Sequence, residues 1–316
     1  MSVVDLSHVT KRFGSNLAVD DLSFSLQKGE MFGLLGPNGA GKTTTIRLML
    51  DIFKPDAGEI AIFGGPMNEA KKERIGYMPE ERGLYREMPL ERSLLYLGAL
   101  KGLTAKEVRS RAEGYLQRLD LAQHRHKKIK ELSKGMQQKA QIIATILHRP
   151  ELLIIDEPFS GLDPVNTRLV KDMLRELNDD GVTVIMSTHQ MHQVEELCDR
   201  ILLVNRGRRV LYGNLAEIRR NFSGHDVLVQ TSAAPDQVQE ALTARQTGIL
   251  AVTPHRSSNG AGILRLSLDG ETSPQQVLQE LLAAQISVSY FEIATPSLDE
   301  IFVSVVQDSS VQEAVR

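Results

Sequence analysis

The feature that most limits what this chain can be is the stretch Gly36-Pro37-Asn38-Gly39-Ala40-Gly41-Lys42-Thr43. It follows a short apolar run, Met31 to Leu35, and opens a helical segment from about Gly41. The spacing fits G-x-x-x-x-G-K-[ST], a loop whose backbone N–H groups cradle phosphates. Its glycines allow those N–H groups to turn inward with no Cβ in the way. The helix beginning there adds the positive end of its dipole. Lys42 is then placed to reach β- and γ-phosphates, and Thr43 to hold Mg²⁺ through its hydroxyl.

A second stretch supplies the acids such a loop needs. Leu152 to Ile155 is apolar and ends in Asp156 and Glu157. Asp156 fits a Mg²⁺ ligand, direct or through water, and Glu157 a group that orients or deprotonates the attacking water. Two acids after a strand are ordinarily a solvated strand end; with the glycine loop upstream, the catalytic reading prevails. Together the two stretches specify a P-loop nucleoside triphosphatase. Three further stretches narrow the class. Leu132-Ser133-Lys134-Gly135-Met136-Gln137-Gln138 opens a helix with Ser133 as its N-cap, a second place where N–H groups could meet an anion. Ser160-Gly161-Leu162-Asp163 follows the acid pair, and Ser187-Thr188-His189 ends the next apolar strand. A neutral imidazole at His189 could donate to a γ-phosphate.

In this order the motifs resemble those of the ABC ATPase family, over about residues 1–220. Gly36–Thr43 is similar to the Walker A motif, Leu132–Gln138 to the signature, Leu152–Glu157 to Walker B, Ser160–Asp163 to the D-loop, and His189 to the switch histidine. The signature, between the two Walker motifs, is what generic P-loop proteins lack. The resemblance implies a head-to-tail dimer, of two copies or of this chain and a paralogous ATPase. ATP would lie between one P-loop, with Gly36, Asn38, Gly39, Gly41, Lys42, Thr43 and Thr44, and the partner's signature, with Ser133, Gly135 and Gln137. It also implies that Phe13 stacks on adenine, that Asp163 belongs to the nucleotide site, and that Lys42, Glu157 and His189 carry the catalysis. Lys134 and Met136 depart from the usual Leu-Ser-Gly-Gly-Gln. Glu80, after Ile75-Gly76-Tyr77-Met78-Pro79, stands where the family usually has a glutamine. A carboxylate there could still bind Mg²⁺ or accept from water. Thr295–Phe302 resembles the closing segment of ATP-binding subunits of ABC-2-type exporters, and Pro79–Tyr85 a subgroup that includes sodium- and drug-efflux subunits.

The rest of the chain supports an α/β fold. Residues 3–10 and 17–26 alternate as half-buried antiparallel strands do, and Val182–Ser187 is another buried strand, reached through a helix near Val165–Leu177. Strands alternating with helices imply a parallel sheet covered on both faces. Leu90 to Leu119 reads as helical with a break at Gly102 and Thr104, so residues 85–145 form an inserted helical subdomain. Asn221, Ser223 and Gly224 read as a linker. Beyond it, strands near 226–232, 247–253, 262–268 and 286–293 and helices near 235–244 and 273–285 give the βαββαβ order of a ferredoxin-like domain. The expected division is therefore an ATP-binding domain at 1–220 and a small α+β accessory or regulatory domain at 221–316. No phosphate loop or acid pair follows Gly213. Asp299 and Glu300 lie at a helix start, where acids complement the dipole.

Composition bounds the partners. Of 316 residues, 37 are Lys or Arg and 40 Asp or Glu, a net charge of −3 that gives no support to nucleic-acid binding. One cysteine, Cys198, permits no internal disulfide. The first residues lack the pattern of a signal peptide. No apolar run approaches the ~20 residues of a membrane-spanning helix. A transport role would thus need separately encoded permease subunits, with this chain peripheral on the cytoplasmic face of the membrane. The alternative is a soluble ABC ATPase acting on ribosomes or DNA. The single Walker A motif and the lack of sustained heptads disfavour it.

Overall fold

The computed structural model describes residues 2–81, 83–223, 226–245, 248–255, 262–269 and 271–305. These fall into two compact units that divide after Leu215.

In the first unit, β1 (Ser2–Phe13) and β2 (Asn16–Gln27) pair antiparallel. Their alternation is broken where His8 and Asp21 take φ of 51°. That offset lets Val19 and Leu22 both face inward with Phe24 and Leu26. β3 (Met31–Leu35) is buried at all five positions and runs into the glycine loop and α1 (Lys42–Met49). β4 (Ala57–Ile62) pairs with β1, giving the order β2-β1-β4. After α2 (Glu69–Glu73) and β5 (Ile75–Met78) comes the helical stretch: α3 (Leu90–Leu100), α4 (Ala105–Arg118) and α5 (Lys134–Ile146). The break between α3 and α4 has local causes. Gly102 takes φ of 75°, and Thr104 closes a capping box with Glu107 at the start of α4.

The chain then alternates through β6 (Leu152–Asp156), α6 (Pro164–Asp179), β7 (Thr183–Thr188), α7 (Met191–Leu197) and β8 (Arg200–Asn205), and turns back in β9 (Arg208–Asn214). The sheet order is β5-β6-β7-β3-β8-β9, parallel except at β9. Every residue of β3, β6 and β7 is buried, as continuous apolar strands covered on both faces must be. Because β5, β6, β7, β3 and β8 are parallel, their carboxyl ends line one edge. That edge is where open α/β sheets take ligands. The glycine loop, Asp156–Glu157, His189 and Glu80 all follow these ends.

The second unit starts within α8 (Leu215–Phe222) and continues as β10 (Val227–Thr231), α9 (Pro235–Thr243), β11 (Ile249–His255), β12 (Ile263–Leu268), α10 (Pro274–Ala283) and β13 (Val288–Ile293). Its sheet, β11-β12-β10-β13, is antiparallel throughout, the strand order of a ferredoxin-like split βαββαβ domain. The core joins Val227, Val229, Leu264 and Leu266 to Val238 and Leu242 of α9 and Val277 and Leu281 of α10. One expectation is corrected. Asn221 lies in α8, not in a linker, because Leu215 and Ile218 are buried one turn apart and Arg219 and Arg220 suit the helix's last turn. Ser223 follows the helix, and Gly224 lies outside the described residues, as does Arg82.

Candidate active site

The glycine loop is held from behind by two other segments. Gly36 takes φ of 149°, and a Cβ there would stand 2.2 Å from the Val204 carbonyl oxygen at the end of β8. Gly41 takes φ of 105°, and its Cβ would stand 2.4 Å from the Ala18 carbonyl oxygen of β2. Both positions demand glycine twice over, by conformation and by close approach. Lys42 Nζ donates to the carbonyls of Gly36, at 2.7 Å, and Pro37, at 3.1 Å. Burial draws the Lys42 ammonium below its usual range, opposed by the negative charges of Glu157, Asp156 and Glu80.

At the end of β6, Asp156 Oδ2 accepts from Thr43 Oγ1 at 3.0 Å. Burial pushes the Asp156 carboxyl up, while the Thr43 hydroxyl and Lys42 pull it down. Glu157, next in the chain, takes φ of 52°, a left-handed conformation uncommon for a residue with a side chain. Its carboxylate is held on both oxygens. Oε2 accepts from Thr188 Oγ1 at 2.9 Å, and Oε1 accepts from the His189 backbone N–H at 2.9 Å. His189 Nδ1 lies 2.6 Å from the same Oε1. Its own N–H donates to Ser187 O, and its carbonyl accepts from Gln138 Nε2 and from the Ser160 N–H, so this backbone outlier is an over-determined position.

These groups face a cleft of about 520 Å³ lined by Asn38, Gly39, Gly41, Lys42, Thr43, Thr44, Glu80, Asp156 and Glu157. Asn16, Leu17, Ala18 and Arg206 line it too, and the motifs did not point to them. Arg206 follows β8, and Asn16–Ala18 open β2 beside the glycine loop. Their place comes from sheet order and not from sequence proximity.

Other expected site residues lie outside that lining. Phe13 ends β1 with 42% of its surface exposed and its ring edge-on to Phe53 at 5.2 Å. Ser133 is exposed and caps α5, its Oγ accepting from Met136 N–H at 3.2 Å. Gln137 Nε2 donates to the carbonyls of Ile129 and Leu132. Gly135 passes so near the Ser160–Asp163 loop that a Cβ would stand 3.0 Å from Gly161 O. Asp163 caps α6, and the Asn166 backbone and side chain hold its carboxyl below the usual range. Within one chain, then, the structure brings together the glycine loop, Glu80, Asp156 and Glu157. It leaves the Ser133 helix start on a separate, solvent-facing surface.

A buried strand feeding a glycine phosphate loop, with an acid pair and a histidine at neighbouring strand ends, defines a P-loop nucleoside triphosphatase. A family model described as "ABC transporter" matches residues 19–160, and one described as "ATP-binding protein DrrA1-3-like, C-terminal domain" matches residues 213–306. The chain is 40% identical over 301 residues to an uncharacterized ABC transporter ATP-binding protein, YhaQ, of Bacillus subtilis (strain 168), covering 95% of this chain and 97% of the relative. It is 34% identical over 274 residues to a Nod factor export ATP-binding protein I of Burkholderia lata, covering 85% and 90%. A solved ATP-binding subunit of an ABC transporter superposes with a TM-score of 0.65 at 32% identity, over 70% of this chain and 93% of that one. The chain belongs to the ABC transporter ATP-binding proteins, a family of ATPases.

Proposed function

We propose that this chain hydrolyses ATP to energise an ABC-type membrane exporter assembled from separately encoded permease subunits. The observation that carries the reading is Glu157, fixed at both carboxylate oxygens beside the Asp156–Thr43 pair in the cleft of the phosphate loop. Backbone N–H groups of residues 39–44 and the α1 dipole bind the phosphates, and Lys42 adds a charge to the β- and γ-phosphates. Glu157 takes a proton from the attacking water. His189, held against Glu157 through Nδ1, keeps its other ring nitrogen for the γ-phosphate.

The donor set suits Mg²⁺. The Thr43 hydroxyl and the Asp156 and Glu80 carboxylates are hard oxygens, and three carboxylates act on the single ammonium of Lys42. When bound, the ion would neutralise phosphate charge. Ser133, Gly135 and Gln137 act on the nucleotide of a second subunit, which accounts for their distance from this chain's own cleft. Phe13 stacks on the adenine, and Asp163 works at the same subunit boundary. Export is supported by the Burkholderia relative, which is named for Nod factor export. In this reading the pore belongs to other chains and this one is peripheral on the cytoplasmic face; no described helix is long and apolar enough to cross a membrane.

Glu157→Gln tests the chemistry. It removes the base and leaves Asp156 and Thr43 in place, so ATP binding is retained while turnover falls by about 10²–10⁴-fold. Phosphate release and nucleotide binding measured on the same preparation decide it, and parent-like turnover would refute the assignment. A polytopic membrane protein co-purifying from detergent-solubilised membranes supports the transporter reading; a ribosomal or DNA-bound fraction overturns it.

A further inference from the structure

Two glutamines on α5 have no part in the mechanism above, yet both reach the ATP cleft's loops. Gln138 and Gln141 stand three residues apart, on one helix face, and each is only 4% exposed. Gln138 Nε2 donates at 3.0 Å to Glu157 O and at 3.0 Å to Pro158 O. Gln141 Nε2 donates at 2.9 Å to Pro79 O, the carbonyl just before Glu80. Gln141 Oε1 is buried with no hydrogen-bond donor among the described residues. A buried amide left half-satisfied is costly, and the bonded half of Gln141 is its N–H group on Pro79 O.

We propose that Gln138 and Gln141 are positioning residues that tie the Ser133 helix to the two acid-bearing loops of the cleft, Gln138 setting Glu157 and Gln141 setting Glu80. This rests on the reading of Glu157 as base. Glu157 sits at φ of 52°, and its carbonyl accepts from Gln138 Nε2 at 3.0 Å and from the Ser160 N–H at 3.3 Å, so Gln138 is the side chain that holds it. Gln138 is five residues beyond Ser133, the N-cap of the same helix and the residue assigned to the second subunit's nucleotide. A shift of α5 when that nucleotide docks is therefore passed directly to this chain's base, which links the two sites of a dimer.

The test uses the full chain with Gln138→Leu, Gln138→Glu and Gln141→Leu, each followed by steady-state ATPase, ATP binding and thermal melting. Gln138→Leu is expected to lower kcat by about 30-fold with KM within about threefold, because a displaced base loses rate and not ground-state binding. Gln141→Leu is expected to lower kcat by about fivefold. In Gln138→Glu the introduced carboxyl faces two carbonyls. It repels them when ionised and donates to one when protonated. Its deficit against the parent should therefore shrink as pH falls from about 8 to about 6. A kcat within twofold of the parent for Gln138→Leu in folded protein overturns the proposal. So does a deficit confined to KM. If Gln138→Leu melts early, the pH profile of Gln138→Glu decides, and a flat deficit counts against positioning. Glu157→Gln is measured alongside. If it retains turnover, the base assignment fails. If it is inactive while both Gln138 variants match the parent, only this inference fails.

Discussion

Glu157 shows how a single residue can be over-specified. Its backbone is left-handed, its carboxylate takes bonds from Thr188 and His189, and its carbonyl takes one from Gln138. Ser133 is the opposite case. Its side chain is exposed and, among the described residues, bonded only to Met136 N–H, a cap worth about 1 kcal/mol. Such a residue tolerates a larger side chain in the isolated chain, so a loss of function on enlarging it reports on what docks against it. Ser133→Arg is expected to leave ATP binding within about threefold and to reduce hydrolysis by at least about tenfold, by blocking approach to the second subunit's phosphates. Mixing it with Lys42→Ala places both defects in one composite site and leaves the other intact. Activity of the mixture above either parent variant supports the shared site. Crosslinked heterodimers that carry one intact site and still show no recovery would imply that both sites must fire together. Monomeric protein with full turnover would remove the shared site altogether.

At the scale of elements, legibility followed the range of the cause. β3, β6 and β7 could be read because a strand buried on both faces must be apolar at every position, and each is. The glycine loop could be read because its φ angles and close approaches exclude other residues. Asn16–Ala18 and Arg206 could not, since only the order β7-β3-β8 and the packing of β2 bring them to the loop. The Gln138 and Gln141 bonds were equally hidden, because they depend on the helical register of α5 against loops far away in sequence. Leu84, Tyr85, Met88 and Leu90 lie among charged residues at and just before the start of α3. Leu84 and Leu90 are buried, whereas Tyr85 and Tyr96 are 49% and 42% exposed and meet edge to face at 5.3 Å. An exposed aromatic pair beside the Glu80 loop suits a partner helix. Tyr85→Asp with Tyr96→Asp should leave basal ATPase within about twofold, because neither ring lines the cleft, and should lower vesicle transport by at least about tenfold. Equal loss of both activities would show a folding defect instead of an interface.

For the whole molecule, the division after Leu215 leaves every residue assigned to the site in the first unit. The glycine loop, Glu80, Asp156 and Glu157 at the end of β6, and His189 all lie in the first unit. The second has its own core of two helices on an antiparallel sheet, and its Glu300 and Asp226 are in structural use. Glu300 accepts from Arg265 and from Ser297 N–H at a helix start, and Asp226 accepts from the same Arg265. Its outer strand β13 leaves Tyr290 and Ile293 40% and 50% exposed. Among the described residues that strand's outer edge is unpaired, an edge of the kind other chains use for contact. We therefore expect the second unit to regulate or assemble and not to catalyse. Truncation after Leu215 keeps the Leu215 N–H bond to Asp199 O that closes the first unit. The shortened chain should hydrolyse ATP within about threefold of the parent, since every group assigned to catalysis is retained. It should also lose either co-purification with its membrane partner or the response of its ATPase to that partner. Aggregation on truncation would make the second unit a cover for apolar surface. A soluble truncation with no ATPase at any concentration would show that the second unit completes the site or its dimer, and the assignment of all chemistry to residues 2–215 would fall.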